Sequence, residues 1–181
     1  ACGICFSPGF TESIGTTTMR PQTEIMMLAK VHEPRDGNTM AHLRRTNFPW
    51  SSQLKENLQQ FFGLRAFRPH QLEIVNSILS CNDTIVLMPT GGGKSLCYQL
   101  PAVTAPPNGH PGVTIVVSPL VSLIHDQVSQ LDALGIGAGA LGSFESHGES
   151  NRLIMDDIYS GNPQNKLIYV TPEKVSASNQ L

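Results

Sequence analysis

Three consecutive glycines followed by a lysine and a hydroxyl, Gly91-Gly92-Gly93-Lys94-Ser95, constrain this chain more than any other feature. Just before them, Thr84-Ile85-Val86-Leu87-Met88 is a short apolar run with β-branched residues, which predicts a strand buried on both faces. A helix-compatible run follows Lys94. Strand, glycine turn, lysine with hydroxyl, and helix together make a phosphate cradle. The glycines let the backbone turn so tightly that successive N–H groups point at one anion. The helix opening at Lys94 adds the positive end of its dipole. In such a cradle Lys94 reaches the β- and γ-phosphates of a nucleotide, and Ser95 ligates the Mg2+ that accompanies them.

The strict pattern Gly-x-x-x-x-Gly-Lys-Ser/Thr is not quite met, because its first glycine would fall on Met88. A glycine-rich turn with a surface lysine is the plain alternative. The flanking strand and helix are the context that favours the phosphate loop. Met88-Pro89-Thr90-Gly91-Gly92-Gly93-Lys94-Ser95 resembles motif I of superfamily 2 helicases, which commonly lack that first glycine.

The 181 residues suffice for one domain with a core, and 40% hydrophobic against 14% charged residues excludes a disordered chain. A net charge of −2 means that any nucleic-acid surface must be local. No apolar run approaches the roughly 18 residues of a membrane span, and no basic-then-apolar leader opens the chain. Four cysteines are no disulfide framework at this length, which points to a reducing, intracellular setting. The chain opens at Ala1 rather than Met and stops at Leu181 shortly after a motif, which reads as a fragment of a longer protein.

Residues 1–50 show no sustained period and read as a disordered tail or as an end imperfectly joined to the rest. Cys2 and Cys5 have the spacing of half a zinc knuckle, but His32 and His42 are separated by nine residues, not the roughly three to five of such a site. Order is expected from near Phe48-Pro49-Trp50-Ser51-Ser52, with the domain over 51–181. Ser52 is a candidate N-cap for a helix carrying Leu54, Leu58, Phe61 and Phe62, ended by Gly63. Pro69 suits the first position of a second helix, with Leu72, Val75, Ile78 and Leu79 as its stripe. After the lysine helix, Pro101 and Pro106-Pro107-Asn108-Gly109 mark a loop. Val113–Ser118 and Lys166–Thr171 read as buried strands, and Ala138–Leu141 as a short one. Apolar positions 120, 123, 124, 128, 131 and 134 define an amphipathic helix closed by Gly135, and 151–159 is a further helix. Strands alternating with helices give an α/β fold, a parallel sheet with helices on both faces.

Four stretches in order now carry a specific resemblance. Phe62-Gly63-Leu64-Arg65-Ala66-Phe67-Arg68-Pro69-His70-Gln71 resembles the element that precedes motif I in RecQ DNA helicases. Residues 88–102 resemble their motif I, Val117–Val128 motif Ia, and Lys166–Lys174 motif Ib. The ending Thr-Pro-Glu-Lys-Val-Ser-Ala-Ser-Asn-Gln-Leu is similar to the Bloom-type eukaryotic members. DEAD-box RNA helicases match less well, since Ser118-Pro119-Leu120-Val121-Ser122-Leu123 stands where they carry Pro-Thr-Arg-Glu-Leu.

The resemblance implies an incomplete RecA-like sheet over residues 51–181, the front of a first motor domain. It implies ATP with Mg2+ as cofactors, Arg68 against the adenine ring, Gln71 on the adenine edge and Leu64 packed on the base. Thr90, Gly91, Gly92, Gly93, Lys94 and Ser95 would hold phosphates and metal, Lys94 being the catalytic group. Pro119 and Leu120 of motif Ia, and Thr171, Pro172 and Glu173 of motif Ib, would touch the backbone of single-stranded DNA. Thr171-Pro172-Glu173 is equally ordinary helix-start chemistry. His125 reads as a surface histidine, and Cys97 as a packing residue. The whole protein would be a nuclear 3′→5′ DNA helicase of repair and recombination. The family's Asp-Glu-Ala-His box and arginine finger are not found in residues 1–181. The isolated chain is therefore expected to associate through an unpaired sheet edge and not to hydrolyse ATP. A nucleotide- or DNA-binding module without catalysis is the competing reading.

Overall fold

The structure is a computed structural model that describes residues 2–5, 41–104, 112–142 and 148–177. The two β-branched runs expected to be buried form β2 (Thr114–Val117) and β4 (Leu167–Val170), and Ala138–Leu141 forms β3. The three strands are parallel in the order β2-β4-β3, with Leu167 opposite both Thr114 and Ala138. All four residues of the central β4 are buried, as its lack of polar alternation demands.

Successive β4 side chains point to opposite faces, and each face has its helix. Leu167 and Tyr169 join Val116 and the inward side of α4 (Val121–Ala133), where Ile124 and Leu131 are buried. Ile168 and Val170 join Leu141 and are covered by Ile154, Met155 and Ile158 of α5 (Gly148–Tyr159). The expected α/β arrangement is therefore present. Of the apolar positions expected to make the α4 stripe, only 124, 128 and 131 pack on the core. Leu120, Leu123 and Leu134 are exposed.

A helical layer lies beside the sheet, built from α1 (Ser51–Gln60), α2 (Gln71–Leu79) and α3 (Lys94–Val103). Trp50, Leu54, Leu58, Val75, Leu79, Leu96 and Leu100 form its core. The described part of this layer includes residues ahead of 51. A 3-10 turn, Ala41–Arg44, buries Leu43. Buried Asn76 fixes this turn by donating to Leu43 O at 2.7 Å and Arg45 O at 3.2 Å while accepting from Trp50 Nε1 at 2.9 Å. The same anchoring of Trp50 makes it, not Ser52, the N-cap residue of α1. Ser52 instead bonds Glu56. Gly63 ends α1 as expected, with left-handed backbone that lets Leu64 N reach Leu58 O at 3.1 Å. Pro101 lies inside α3 rather than in a loop. It sits in the last turn, where Asn57 Nδ2 bonds Val103 O and Thr104 Oγ1 bonds Leu100 O.

Two expectations fail in the sheet. Thr84–Met88 is not a strand: it lies outside the sheet, with Ile85 93% and Leu87 94% exposed. The run has strand composition, but among the described residues no strand pairs with it. One edge of the described sheet is β3, and the other is occupied by β1 (Cys2–Cys5), which pairs antiparallel to β2 with Cys2 opposite Val117. That strand is the second departure, since residues 1–50 read as a tail. A bare β2 edge offers unpaired N–H and C=O groups that a short extended segment satisfies.

Candidate nucleotide-binding site

Gly93 is the N-cap of α3 with φ 87°, and Gly91 has φ 77°, both in the left-handed region. At Gly93 a side chain is excluded twice, by that conformation and because an added Cβ would overlap the Gln71 amide nitrogen. The loop is closed on itself by Gly92 N bonding Pro89 O at 3.0 Å. The Lys94 ammonium folds back over it, donating to Met88 O at 2.8 Å and Pro89 O at 3.0 Å. It thus lies where the carbonyls hold a cation, at the opening of α3. Ser95 is half-buried in the next position, and Thr90 is exposed on the loop. Cys97 packs beneath: its thiol donates weakly to Gly93 O, and burial raises its pKa to about 11, so it stays protonated.

The element before the loop closes over it. Arg68 Nη1 donates to Gly91 O at 2.7 Å. Gln71 is 2% exposed, and both ends of its amide are engaged: Oε1 accepts from Arg68 N at 2.8 Å, and Nε2 donates to Gly93 O at 3.2 Å. The Arg68 bond also explains why Pro69 is not the first residue of α2. Residues 68–71 form a turn closed by the Gln71 side chain and by Gln71 N to Arg68 O, leaving His70 left-handed at φ 69° as N-cap. Leu64 stands 41% exposed beyond Gly63.

The two further stretches meet at one edge of the sheet. Val117 is opposite Val170, so Ser118-Pro119-Leu120 and Thr171-Pro172-Glu173 leave neighbouring strands at their C-terminal ends, where open α/β sheets place ligands. Pro119, Leu120, Pro172 and Glu173 are exposed, whereas Thr171 is buried. Its Oγ1 accepts from Lys174 N at 3.3 Å at the start of α6 (Pro172–Ala177), the ordinary helix-start arrangement. Ser118 Oγ is buried without a hydrogen-bond partner.

A family model for DEAD/DEAH box helicases matches residues 68–180, more than half of the chain. The chain belongs to this family. Within it, the similarity is to RecQ-type DNA helicases. "ATP-dependent DNA helicase Q1" of Rattus norvegicus is 46% identical over 134 residues, covering 74% of this chain and 21% of the relative. "RecQ-like DNA helicase blm-1" of Caenorhabditis elegans is 50% identical over 131 residues, 72% of this chain and 13% of the relative. "RecQ-like DNA helicase BLM" of Xenopus laevis is 47% identical over 138 residues, 76% and 10%. Q1-type and Bloom-type relatives are matched about equally, and the chain spans about a fifth or less of their length.

In this helicase domain the structure brings Arg68, Gln71, Gly91, Gly93 and Lys94 together, and it sets the 118–120 and 171–173 loops side by side. Among the described residues no three His, Cys, Asp or Glu side chains gather into a metal site. Sequence reasoning missed Asn57 and Asn76, which are buried and hold the ends of the helical layer. Their signal was an asparagine inside an apolar stripe, next to Leu58 and Val75 respectively. No described helix is long and apolar enough to cross a membrane.

Proposed function

We propose that the protein carrying this chain is an ATP-dependent DNA helicase that moves 3′→5′ in repair and recombination in the nucleus, acting on single-stranded DNA and unwinding junctions. The observation that carries the reading is the convergence of Arg68, Gln71 and Lys94 on one glycine loop at the opening of a helix.

Lys94 donates to uncharged carbonyls in this structure. A nucleotide's phosphates are stronger acceptors and would draw the ammonium off them, towards charge that grows during phosphoryl transfer. The N–H groups of residues 91–95 would hold the same phosphates. Mg2+, carried on the phosphates and held by Ser95, would supply charge neutralisation. Gln71 presents one donor and one acceptor, the pair that adenine N7 and N6 require. To read the base it exchanges its bonds with Arg68 N and Gly93 O for bonds to adenine. Arg68 would stack on the ring face and Leu64 would pack on the base. DNA backbone would lie across Pro119, Leu120 and the 171–173 loop.

The test is nucleotide choice. The full-length protein is expected to hydrolyse ATP in preference to GTP, and Gln71→Ala to erase most of that preference. A Gln71→Ala enzyme with its preference intact sinks the adenine assignment. A full-length protein that binds nucleotide and DNA without turnover would instead be the non-catalytic module.

A further inference from the structure

The core between α3, α4 and β4 is mostly apolar, and a cluster of polar side chains interrupts it. There Gln127 Oε1 on α4 accepts two hydrogen bonds from α3, from Gln99 Nε2 at 3.1 Å and from the Tyr98 hydroxyl at 3.3 Å. Gln99 is 8% exposed. Tyr169 of β4 completes the cluster at 1% exposed, and its hydroxyl is buried without a partner of good geometry. Burial, and then the neighbouring Tyr98, push its ionisation far above the ordinary tyrosine range, so it remains a neutral donor and acceptor. Polar groups in such surroundings are costly unless bonded, yet α3 contributes two, and α4 and β4 one each, to the same point.

Each of these elements ends at a proposed ligand loop. Tyr98 and Gln99 are the i+4 neighbours of Lys94 and Ser95, one helical turn away, so a shift of the first turn of α3 reaches them directly. Gln127 lies on the helix that follows Pro119 and Leu120. Tyr169 lies two residues before Thr171. One oxygen serves two donors, and the Tyr98 bond is longer than an O–H···O bond prefers. The Tyr169 oxygen, buried beside Tyr98 and Gln99 without a hydrogen-bond partner, is a further acceptor in the cluster. A second arrangement, with one donor turned from Gln127 to Tyr169, would serve the same groups, and small helix shifts would choose between the two. A packed element with two discrete arrangements is what energetic coupling between sites needs.

We propose that Gln127 is a positioning residue that couples the state of the 89–95 loop to the 118–120 and 171–173 loops, touching neither ligand itself. The proposal rests on the reading of those loops as ATP and DNA contacts. Gln127→Met keeps the length of the side chain and removes the acceptor, whereas Gln127→Glu keeps acceptor oxygens. The full-length protein and both variants are compared in nucleotide affinity without DNA, melting temperature, and ATP turnover against single-stranded DNA concentration. Gln127→Met is expected to keep nucleotide affinity within about twofold and to lose roughly tenfold in the stimulation of turnover by DNA, within the usual range of coupling between sites. Gln127→Glu is expected to retain most of the stimulation. Full stimulation in Gln127→Met overturns the proposal. So does an equal loss in both variants that follows their melting temperatures, because that is a packing role. If the unmodified protein shows no stimulation by DNA, the functional reading beneath the proposal fails and takes it down as well.

Discussion

Two runs of similar composition, Thr84–Met88 and Leu167–Val170, end in opposite environments. β4 is buried along its whole length between β2 and β3, with a helix on either face. The 84–88 run has no regular structure and lies outside the described sheet, with Ile85 and Leu87 almost fully in solvent. Its start is held by a Thr84–Ser77 hydroxyl contact of 2.9 Å. Apolar and β-branched residues therefore make a segment able to be a strand, and the neighbours decide whether it becomes one. An exposed apolar run of this kind also agrees with the expectation that the isolated chain associates.

The comparison can be broken by substitution. Ile168→Ala, in the fully buried middle of β4, should cost about 2–5 kcal/mol in urea unfolding of the dilute chain. A loss below about 1 kcal/mol would mean that β4 is not the centre of the core. Gly93→Ala should come next, at about 1–3 kcal/mol for the left-handed backbone, with a displaced Gln71 and weaker nucleotide binding in a fluorescent-nucleotide titration. Unchanged affinity and stability would show that the loop does not need this conformation. Ile85→Thr should change stability by no more than about 0.5 kcal/mol and lower light scattering from the chain. A cost near that of Ile168→Ala would show that the 84–88 run is buried after all.

The glycine turn at 91–93 and the helix opening at Lys94 were legible because glycine and an apolar helical run carry their structure locally. So were β2, β4 and the Gly63 and Gly135 helix ends, where pattern and turn residues agree. What escaped depends on partners distant in sequence. The state of 84–88 depends on a strand beside it, and the pairing of β1 depends on an edge more than a hundred residues away. The shift of the α1 cap from Ser52 to Trp50 follows from Asn76, which lies 26 positions along the chain from Trp50. The motifs named Gln71 and Arg68 but not their present bonds, because a side chain that would read a base also satisfies loop carbonyls when it closes over them. Gln127 gave no signal, being one glutamine among several polar residues on a helix whose inward face shows only in the fold.

The central claim is that Lys94 and its loop form the phosphate site of a DNA-driven ATPase. It is tested most directly by measuring ATP hydrolysis of the full-length protein and of Lys94→Ala, with and without single-stranded DNA. The account predicts DNA-stimulated turnover in the unmodified protein and its loss by roughly a hundredfold or more in Lys94→Ala, with the melting temperature unchanged because Lys94 is exposed. Normal stimulated turnover in Lys94→Ala would contradict it.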